Sequence, residues 1–194
     1  MRKLFWQMMV SLDGFMEGPN RELDWHVVDD EFQQYALEML RSIDAMLLGR
    51  TTYQLFADYW PSATEPGAEE LNALEKVVFS TTLNDVDWKN SRLVSQNVVD
   101  EITRLKQQEG KDLAIFGSST LVSSLPLGLI DEYRIMVCPI VLGAGTPVLP
   151  HRGSRLPLNL VSIKQFGSGI VFLRYQPGIS AQRVDFEVPG SSPQ

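Results

Sequence analysis

Three short segments rich in glycine and hydroxyl-bearing residues have the composition of phosphate-binding turns. Each follows an apolar run, and they read Gly49-Arg50-Thr51-Thr52, Ser80-Thr81 and Gly117-Ser118-Ser119-Thr120. Glycine lets a backbone approach a phosphate closely, hydroxyl groups donate hydrogen bonds, and an arginine can pair with a phosphate through two bonds. Serine and threonine are also common helix caps, so any one segment has an ordinary structural explanation. The three together favour a nucleotide-binding site.

Other chemistries are disfavoured by what the sequence lacks. It contains neither Gly-x-Gly-x-x-Gly nor Gly-x-x-x-x-Gly-Lys-Ser/Thr, which argues against a standard Rossmann or P-loop site. The only cysteine is Cys138 and the only histidines are His26 and His151, so no metal site and no intramolecular disulfide is expected. Cys138 lies in an apolar run, which predicts a small buried residue. We expect His26 to lie on a surface loop.

Hydrophobic periodicity predicts the elements that position these turns. Apolar runs predict strands at 4–10, 45–48, 76–80, 113–116 and 130–142, a short strand at 92–95, and a C-terminal hairpin of 158–166 and 170–175. Residues 11–24 form a long loop. Apolar stripes predict helices at 30–43, 53–60 and 98–105, and a shorter helix that begins at 117–120. This alternation predicts an α/β fold with a mostly parallel central sheet, antiparallel C-terminal strands and helices on both faces.

The length and net charge of the chain exclude further classes of protein. The chain has 194 residues, and 17 basic against 24 acidic residues give a net charge of −7, which argues against nucleic-acid binding. The longest apolar stretch, 135–145, is interrupted by Pro139 and is shorter than the roughly 20 residues of a membrane span. We therefore expect a cytoplasmic protein with one domain at 1–177 and a mobile tail at 178–194.

Seven segments in register resemble the dihydrofolate reductase-like superfamily. Within it, the chain looks most like the branch that contains the C-terminal reductase domain of the bifunctional riboflavin-biosynthesis deaminase/reductase. The resemblance covers residues 3–175, and it is carried by Ser11–Gly14, Leu23–Trp25, Leu48–Tyr53, Phe79–Thr81, Phe116–Ser118, Gly128–Glu132 and Pro139–Gly145. It implies the three-layer dihydrofolate reductase-like fold, an NADPH cofactor and a homodimer built through the C-terminal strands.

The resemblance also assigns the three turns. The segment 49–52 matches the turn that binds the cofactor's phosphates, and 80–81 matches the turn near the adenosine ribose and its 2′-phosphate. The segment 117–120 begins where the family has a Gly-Gly pair at the pyrophosphate. Ser118 replaces the second glycine, so its side chain would either crowd the diphosphate or donate a hydrogen bond to it. Arg50 and Arg92 are the cations expected near the 2′-phosphate.

A reductase of a C=N or C=O bond also needs a proton source, and two carboxylates are candidates. Asp13 lies in the loop after the first strand, where it is equally well explained as a turn residue before Gly14. Asp30 follows Trp25 by five residues, which is the spacing between the loop tryptophan and the catalytic carboxylate of folate reductases. A helix N-terminus also favours acidic residues. A catalytic Asp30 would be partly buried, whereas a helix-cap residue would be exposed.

The predicted substrate is a small heterocycle, on which Trp25 and Phe56 would stack. The resemblance implies an NADPH-dependent reductase similar to 5-amino-6-(5-phosphoribosylamino)uracil reductase or to a pteridine reductase. The sequence contains no deaminase signature, so the chain is not necessarily a riboflavin-pathway enzyme and its substrate is not identified. The alternatives are a true dihydrofolate reductase, which would require Asp30, a nucleotide-binding protein without catalysis, and an apolar-pocket protein that holds no nucleotide.

Overall fold

The computed structural model describes residues 1–149 and 155–178. The strands are β1 (Leu4–Val10), β2 (Phe15–Glu17), β3 (Ile43–Gly49), β4 (Glu75–Phe79), β5 (Ser91–Val94), β6 (Asp112–Phe116), β7 (Glu132–Val137), β8 (Thr146–Pro147), β9 (Leu158–Gln165) and β10 (Val171–Pro177). The helices are α1 (Asp30–Arg41), α2 (Arg50–Tyr59), α3 (Ala68–Ala73), α4 (Val98–Gln107) and α5 (Ser119–Ser124).

Eight strands form one sheet in the order β5-β4-β3-β6-β1-β7-β10-β9. The pairs from β5 to β7 are parallel, and β10 is antiparallel to both β7 and β9. Strands β2 and β8 form a separate antiparallel pair. The predicted parallel sheet with antiparallel C-terminal strands is confirmed.

Two apolar clusters cover the two faces of this sheet. On one face, Trp6 and Leu47 pack with Ile102 of α4 and Val122 of α5. On the other face, the clustered residues come from the sheet and from α1, α2 and α3: Phe5, Met46, Leu48, Val78, Met39, Leu40, Tyr53 and Leu71. Successive side chains of a strand point to opposite faces, so the apolar run of β1 supplies both clusters. The predicted arrangement of helices on both faces is confirmed.

The structure departs from the sequence prediction in three places. The strand predicted at 130–142 ends at Val137, because the backbone then turns at Pro139 and the Ile140 N–H donates to the Cys138 carbonyl at 2.8 Å. Helix α3 and the β2–β8 pair were not predicted. Cys138 is fully buried as expected, and burial raises the pKa of its thiol to about 11. All but the first residue of the predicted tail at 178–194 lies outside the described residues.

Candidate functional site

The three glycine- and hydroxyl-rich turns meet at one edge of the sheet. They follow β4, β3 and β6, which are neighbours in the sheet, and all three strands end at the same edge because they are parallel. A cleft of about 1100 Å³ opens there. The ten residues predicted to bind a cofactor all line it, namely Gly49, Arg50, Thr51, Thr52, Ser80, Thr81, Gly117, Ser118, Ser119 and Thr120.

The N-terminus of α2 lies at this cleft. Gly49 is the N-cap residue, and no side chain caps the helix. The first-turn N–H groups of an α-helix have no partner within the helix, and together with the helix dipole they favour an anion. Arg50, the first helical residue, donates from Nη1 to the Thr82 hydroxyl at 3.1 Å and adds a positive charge at the rim.

The turn after β6 is packed closely against α2. Gly117 has a φ of 54°, and a Cβ there would lie 2.9 Å from Thr52 Oγ1. Its carbonyl accepts a hydrogen bond from Trp6 Nε1 at 2.7 Å. A side chain at this position would require the Thr52 side chain to shift, and the positive φ also favours glycine.

Ser118 joins two of the turns. Its hydroxyl donates to the Phe116 carbonyl at 2.7 Å and accepts from the Gly49 N–H at 2.8 Å. Its own N–H donates to Thr52 Oγ1 at 3.2 Å. The hydroxyl also lies 3.2 Å from Thr52 Oγ1, so it is engaged by groups of both turns. The side chain thereby holds the turns after β3 and β6 together.

The turn after β4 is shaped by Ser80. Its hydroxyl accepts hydrogen bonds from the N–H groups of Thr82 at 3.2 Å and Leu83 at 3.1 Å. Arg92, the second cation expected near a 2′-phosphate, does not line the cleft. It forms ion pairs with Glu75 at 2.7 Å and with Glu101 at 2.5 Å. Arg50 alone of the two arginines is therefore placed to meet a phosphate.

Asp13 does not line the cleft. Its carboxylate accepts hydrogen bonds from the Ser11 hydroxyl at 2.7 Å and from the N–H groups of Leu142 at 3.1 Å and Gly143 at 2.8 Å. These bonds lower the pKa of Asp13, with the Ser11 bond the largest cause. An exposed carboxylate held in its charged form is poorly suited to donate a proton. The structure favours its role as a loop residue.

Asp30 is the first residue of α1 and is exposed, outside the cleft lining. The cap itself is Asp29, whose carboxylate accepts from Phe32 N at 2.7 Å and from Ser168 N at 2.9 Å. The exposure of Asp30 matches the helix-terminus explanation. Trp25 is buried in a third apolar cluster near Phe166 and also lies outside the cleft lining, with its Nε1 donating to the Glu22 carbonyl at 3.1 Å.

Phe56 lines the cleft, beside several residues that sequence reasoning missed. We call this wall the substrate half; β1, β2, α1, α2 and the loops after β2 and α2 supply its residues, which include Gln7, Met9, Met16, His26, Phe32 and Phe56. His26 is half-buried rather than on an open surface loop, and burial lowers its pKa. Gln7 carried a signal in the sequence, because it is the only polar residue in the apolar run of β1.

Among the residues that the structure describes, no group of three or more acidic, histidine or cysteine side chains could hold a metal ion. Within the same ranges, no helix is both long and apolar enough to cross a membrane.

Comparison with known proteins identifies the family. The family described as "RibD C-terminal domain" matches residues 2–172 of this chain. The chain belongs to the RibD C-terminal domain family. Among curated proteins, it is 33% identical over 180 residues to the uncharacterized Bacillus subtilis protein YyaP, covering 90% of this chain and 94% of that protein. The match to the dihydrofolate reductase-like branch expected from the motifs is confirmed.

Solved structures share the RibD C-terminal domain fold. A candidate riboflavin biosynthesis protein from Shewanella sp. PV-4 superimposes with a TM-score of 0.70 at 23% identity, covering 92% of this chain and 100% of that one. The deaminase/reductase of Thermotoga maritima gives a TM-score of 0.65 at 16% identity, covering 91% of this chain and 57% of its own. At these identities the likeness shows the fold.

Proposed function

We propose that this protein is an NADPH-dependent reductase of a small heterocyclic substrate. The observation that carries the proposal is the convergence of ten predicted cofactor residues from three separate turns on one cleft. The cleft then continues past Phe56 into a wall of apolar and aromatic side chains. A phosphate-binding region that adjoins an apolar wall suits a dinucleotide next to a flat substrate.

The residues present fit such a cofactor. The uncapped N-terminus of α2, the Arg50 guanidinium and the hydroxyls of Thr51 and Thr81 supply donors for phosphate oxygens. The close packing of Gly117 on Thr52 brings two turns near enough to contact one diphosphate. In this proposal Ser118 acts indirectly, by holding the turns at a fixed separation.

Bound NADPH would supply a hydride, and a proton must complete the reduction of C=N to CH–NH or of C=O to CH–OH. The side chains of the substrate half would orient the ring and exclude water from its apolar side. Asp13 and Asp30 are not included as proton donors, since neither lines the cleft. In this proposal solvent at the open side of the cleft delivers the proton.

The structure bears on two alternative functions, weighing against one and supporting the other. A true dihydrofolate reductase would need the Asp30 carboxylate in the cleft, and its exposed position outside the lining weighs against that function. A nucleotide-binding protein without catalysis is favoured by one observation, which is that neither predicted acid reaches the cleft. It predicts cofactor binding with no oxidation of NADPH by any carbonyl or imine compound.

The decisive experiment is a fluorescence titration with NADPH and NADH of the wild type, Arg50→Ala and Arg104→Ala. Loss of the Arg50 guanidinium should weaken NADPH binding by about 1.5–3 kcal/mol, the range for a hydrogen bond to a charged group. Arg104 is the matched control, because it is exposed on α4 and pairs with Glu101 away from the cleft. No binding by the wild type, or equal binding by all three proteins, would contradict the proposal.

We also propose a homodimer formed through the C-terminal edge of the sheet. Strand β9 pairs only with β10 among the described strands, and it exposes Leu158, Leu160, Val161 and Ile163. An unpaired edge strand with exposed apolar side chains is a usual surface for association with a second chain. Light scattering tests this, since a monomer has a mass of 21.8 kDa.

A further inference from the structure

The charges of the substrate half are unsuited to a phosphorylated substrate. Among the described residues that line this half, the charged side chains are Arg21, Glu17 and Glu65. Glu17 accepts a hydrogen bond from the Thr146 hydroxyl at 2.7 Å, and Arg21 is exposed. Counted over the described residues, one cation against two carboxylates gives this half a net negative charge. Moving a phosphate from water into such a site without a cationic partner is costly.

Gln7 presents a fixed hydrogen-bond donor to the same half of the cleft. Its Oε1 accepts from the Tyr35 hydroxyl at 2.6 Å. The positive charges of Arg134 and Arg174 lie near the phenol and act to lower its pKa, against the larger effect of burial. An amide oxygen only accepts, so the phenol is the donor in this bond. The Gln7 amide is thereby held with its oxygen towards Tyr35 and its NH₂ group away from it.

The support behind Tyr35 is itself buried and ionic. Glu132 accepts from Arg134 Nε at 2.5 Å and from Arg174 Nη2 at 2.9 Å. Arg134 also stacks on the Phe5 ring, 3.5 Å from its centroid. Burial raises the pKa of Tyr35 to about 12, so the phenol keeps the proton that it donates to Gln7. The Gln7 NH₂ group has no hydrogen-bond partner among the described residues, and Gln7 lines the cleft.

We propose that the substrate half binds an uncharged, flat heterocycle that carries carbonyl or imine groups and no phosphate, and that the Gln7 NH₂ group donates a hydrogen bond to a ring acceptor. The apolar side chains of Met9, Met16, Phe32 and Phe56 contact the faces of the ring. This inference deepens the proposed reductase function and rests on it for the placement of the ring beside the cofactor.

The test compares riboflavin with riboflavin 5′-phosphate, which have the same flat ring system and differ by one phosphate group. Both are titrated by flavin fluorescence into the full chain with saturating NADP⁺, which keeps the flavin phosphate out of the three turns. Riboflavin should bind about tenfold or more tightly than its phosphate, because the phosphate meets carboxylates rather than cations. Equal or tighter binding of the phosphate would overturn the substrate class, as would failure of both flavins to bind.

Variants then test the donor. Gln7→Glu keeps an acceptor for Tyr35 but replaces the NH₂ group with an oxygen, and Gln7→Met removes the amide without adding charge. Each should weaken riboflavin binding by about tenfold. Tyr35→Phe should weaken it by a smaller factor, since the amide is then free to rotate. Gln34→Met is the matched control, because Gln34 is an exposed residue of α1 that bonds Glu38.

The role of Gln7 and the NADPH-dependent function can fail independently in these experiments. Unchanged riboflavin binding by folded Gln7→Glu and Gln7→Met would overturn the role of Gln7. NADP⁺ binding is measured first by calorimetry on the wild type and Arg50→Ala. If NADP⁺ does not bind, the proposed function fails, and the two flavins are then compared without it. In that case preferential binding of riboflavin, lost in the Gln7 variants, would still support an uncharged-ring site.

Discussion

Replacing Ser118 by alanine and by glycine separates the effect of its hydroxyl hydrogen bonds from the effect of its left-handed backbone conformation. Its backbone lies in the left-handed region, with a φ of 56°. Its hydroxyl bonds both the Gly49 N–H and the Phe116 carbonyl. Ser118→Ala removes both hydrogen bonds and keeps a Cβ in the left-handed conformation. Ser118→Gly removes the same bonds and relieves the backbone strain.

The structure gives the size and order of the two effects. Two net hydrogen bonds are worth about 1–3 kcal/mol together, so Ser118→Ala should lower the free energy of unfolding by that amount. A left-handed residue with a side chain carries about 1 kcal/mol of strain relative to glycine. Ser118→Gly should therefore be more stable than Ser118→Ala by about 1 kcal/mol. Both variants should bind NADPH more weakly, because the turns after β3 and β6 are no longer tied together.

Urea unfolding followed by tryptophan fluorescence measures the free energies. Ser123→Ala is the matched control, since the Ser123 hydroxyl donates to the Ser119 carbonyl within α5. Loss of this bond is offset by the higher helix propensity of alanine, so the free energy of unfolding should change by less than about 0.5 kcal/mol. The reasoning is refuted if Ser118→Ala is as stable as the wild type, or if Ser118→Gly is the less stable of the two variants.

Three further predictions concern other parts of the molecule. Glu132→Gln should lower the free energy of unfolding by about 3–5 kcal/mol at pH 7, because two guanidinium groups lose a buried partner. Although burial opposes it, hydrogen bonds from those guanidinium groups lower the pKa of Glu132, so this difference should shrink as the pH falls below about 4 in urea titrations. Gly117→Ala should weaken NADPH binding and cost about 1–2 kcal/mol of stability by displacing Thr52, as calorimetry and urea unfolding would show. Ile163→Lys should give a monomer by light scattering, whereas the wild type gives a dimer; equal masses would contradict the β9 interface.

Most of the sheet could be predicted from the sequence, because its strands are short apolar runs that end in glycine or hydroxyl residues. The three turns could be predicted to meet for the same reason, since parallel neighbouring strands end at one edge. Helix α3 is only six residues long, and the β2–β8 pair joins residues about 130 positions apart along the chain. Neither leaves a periodic pattern that a reader of the sequence could recognise.

The roles of Asp13 and Asp30 could not be decided in the same way. The loop after the first strand indicated Asp13, and the spacing from Trp25 indicated Asp30, but the direction of each side chain depends on its tertiary partners. Asp13 is drawn to the N–H groups of Leu142 and Gly143, which lie about 130 positions further along the chain. Gln7 differs from these two carboxylates, because the sequence singles it out as a lone polar residue in an apolar strand. The sequence does not indicate that its partner is Tyr35.

The central position of β1 governs when this protein can complete its fold during synthesis. The first strand lies between β6 and β7, pairing Leu4 with Leu113 and Trp6 with Tyr133. Its two neighbours therefore leave the ribosome more than 100 residues later, and contacts of such large sequence separation make folding slow. Until β6 has been made, the apolar strand β1 has neither of its neighbours, and its second edge stays unpaired until β7 follows. A chaperone that shields the N-terminal segment should therefore raise the yield of folded protein more than one that acts on the C-terminal hairpin.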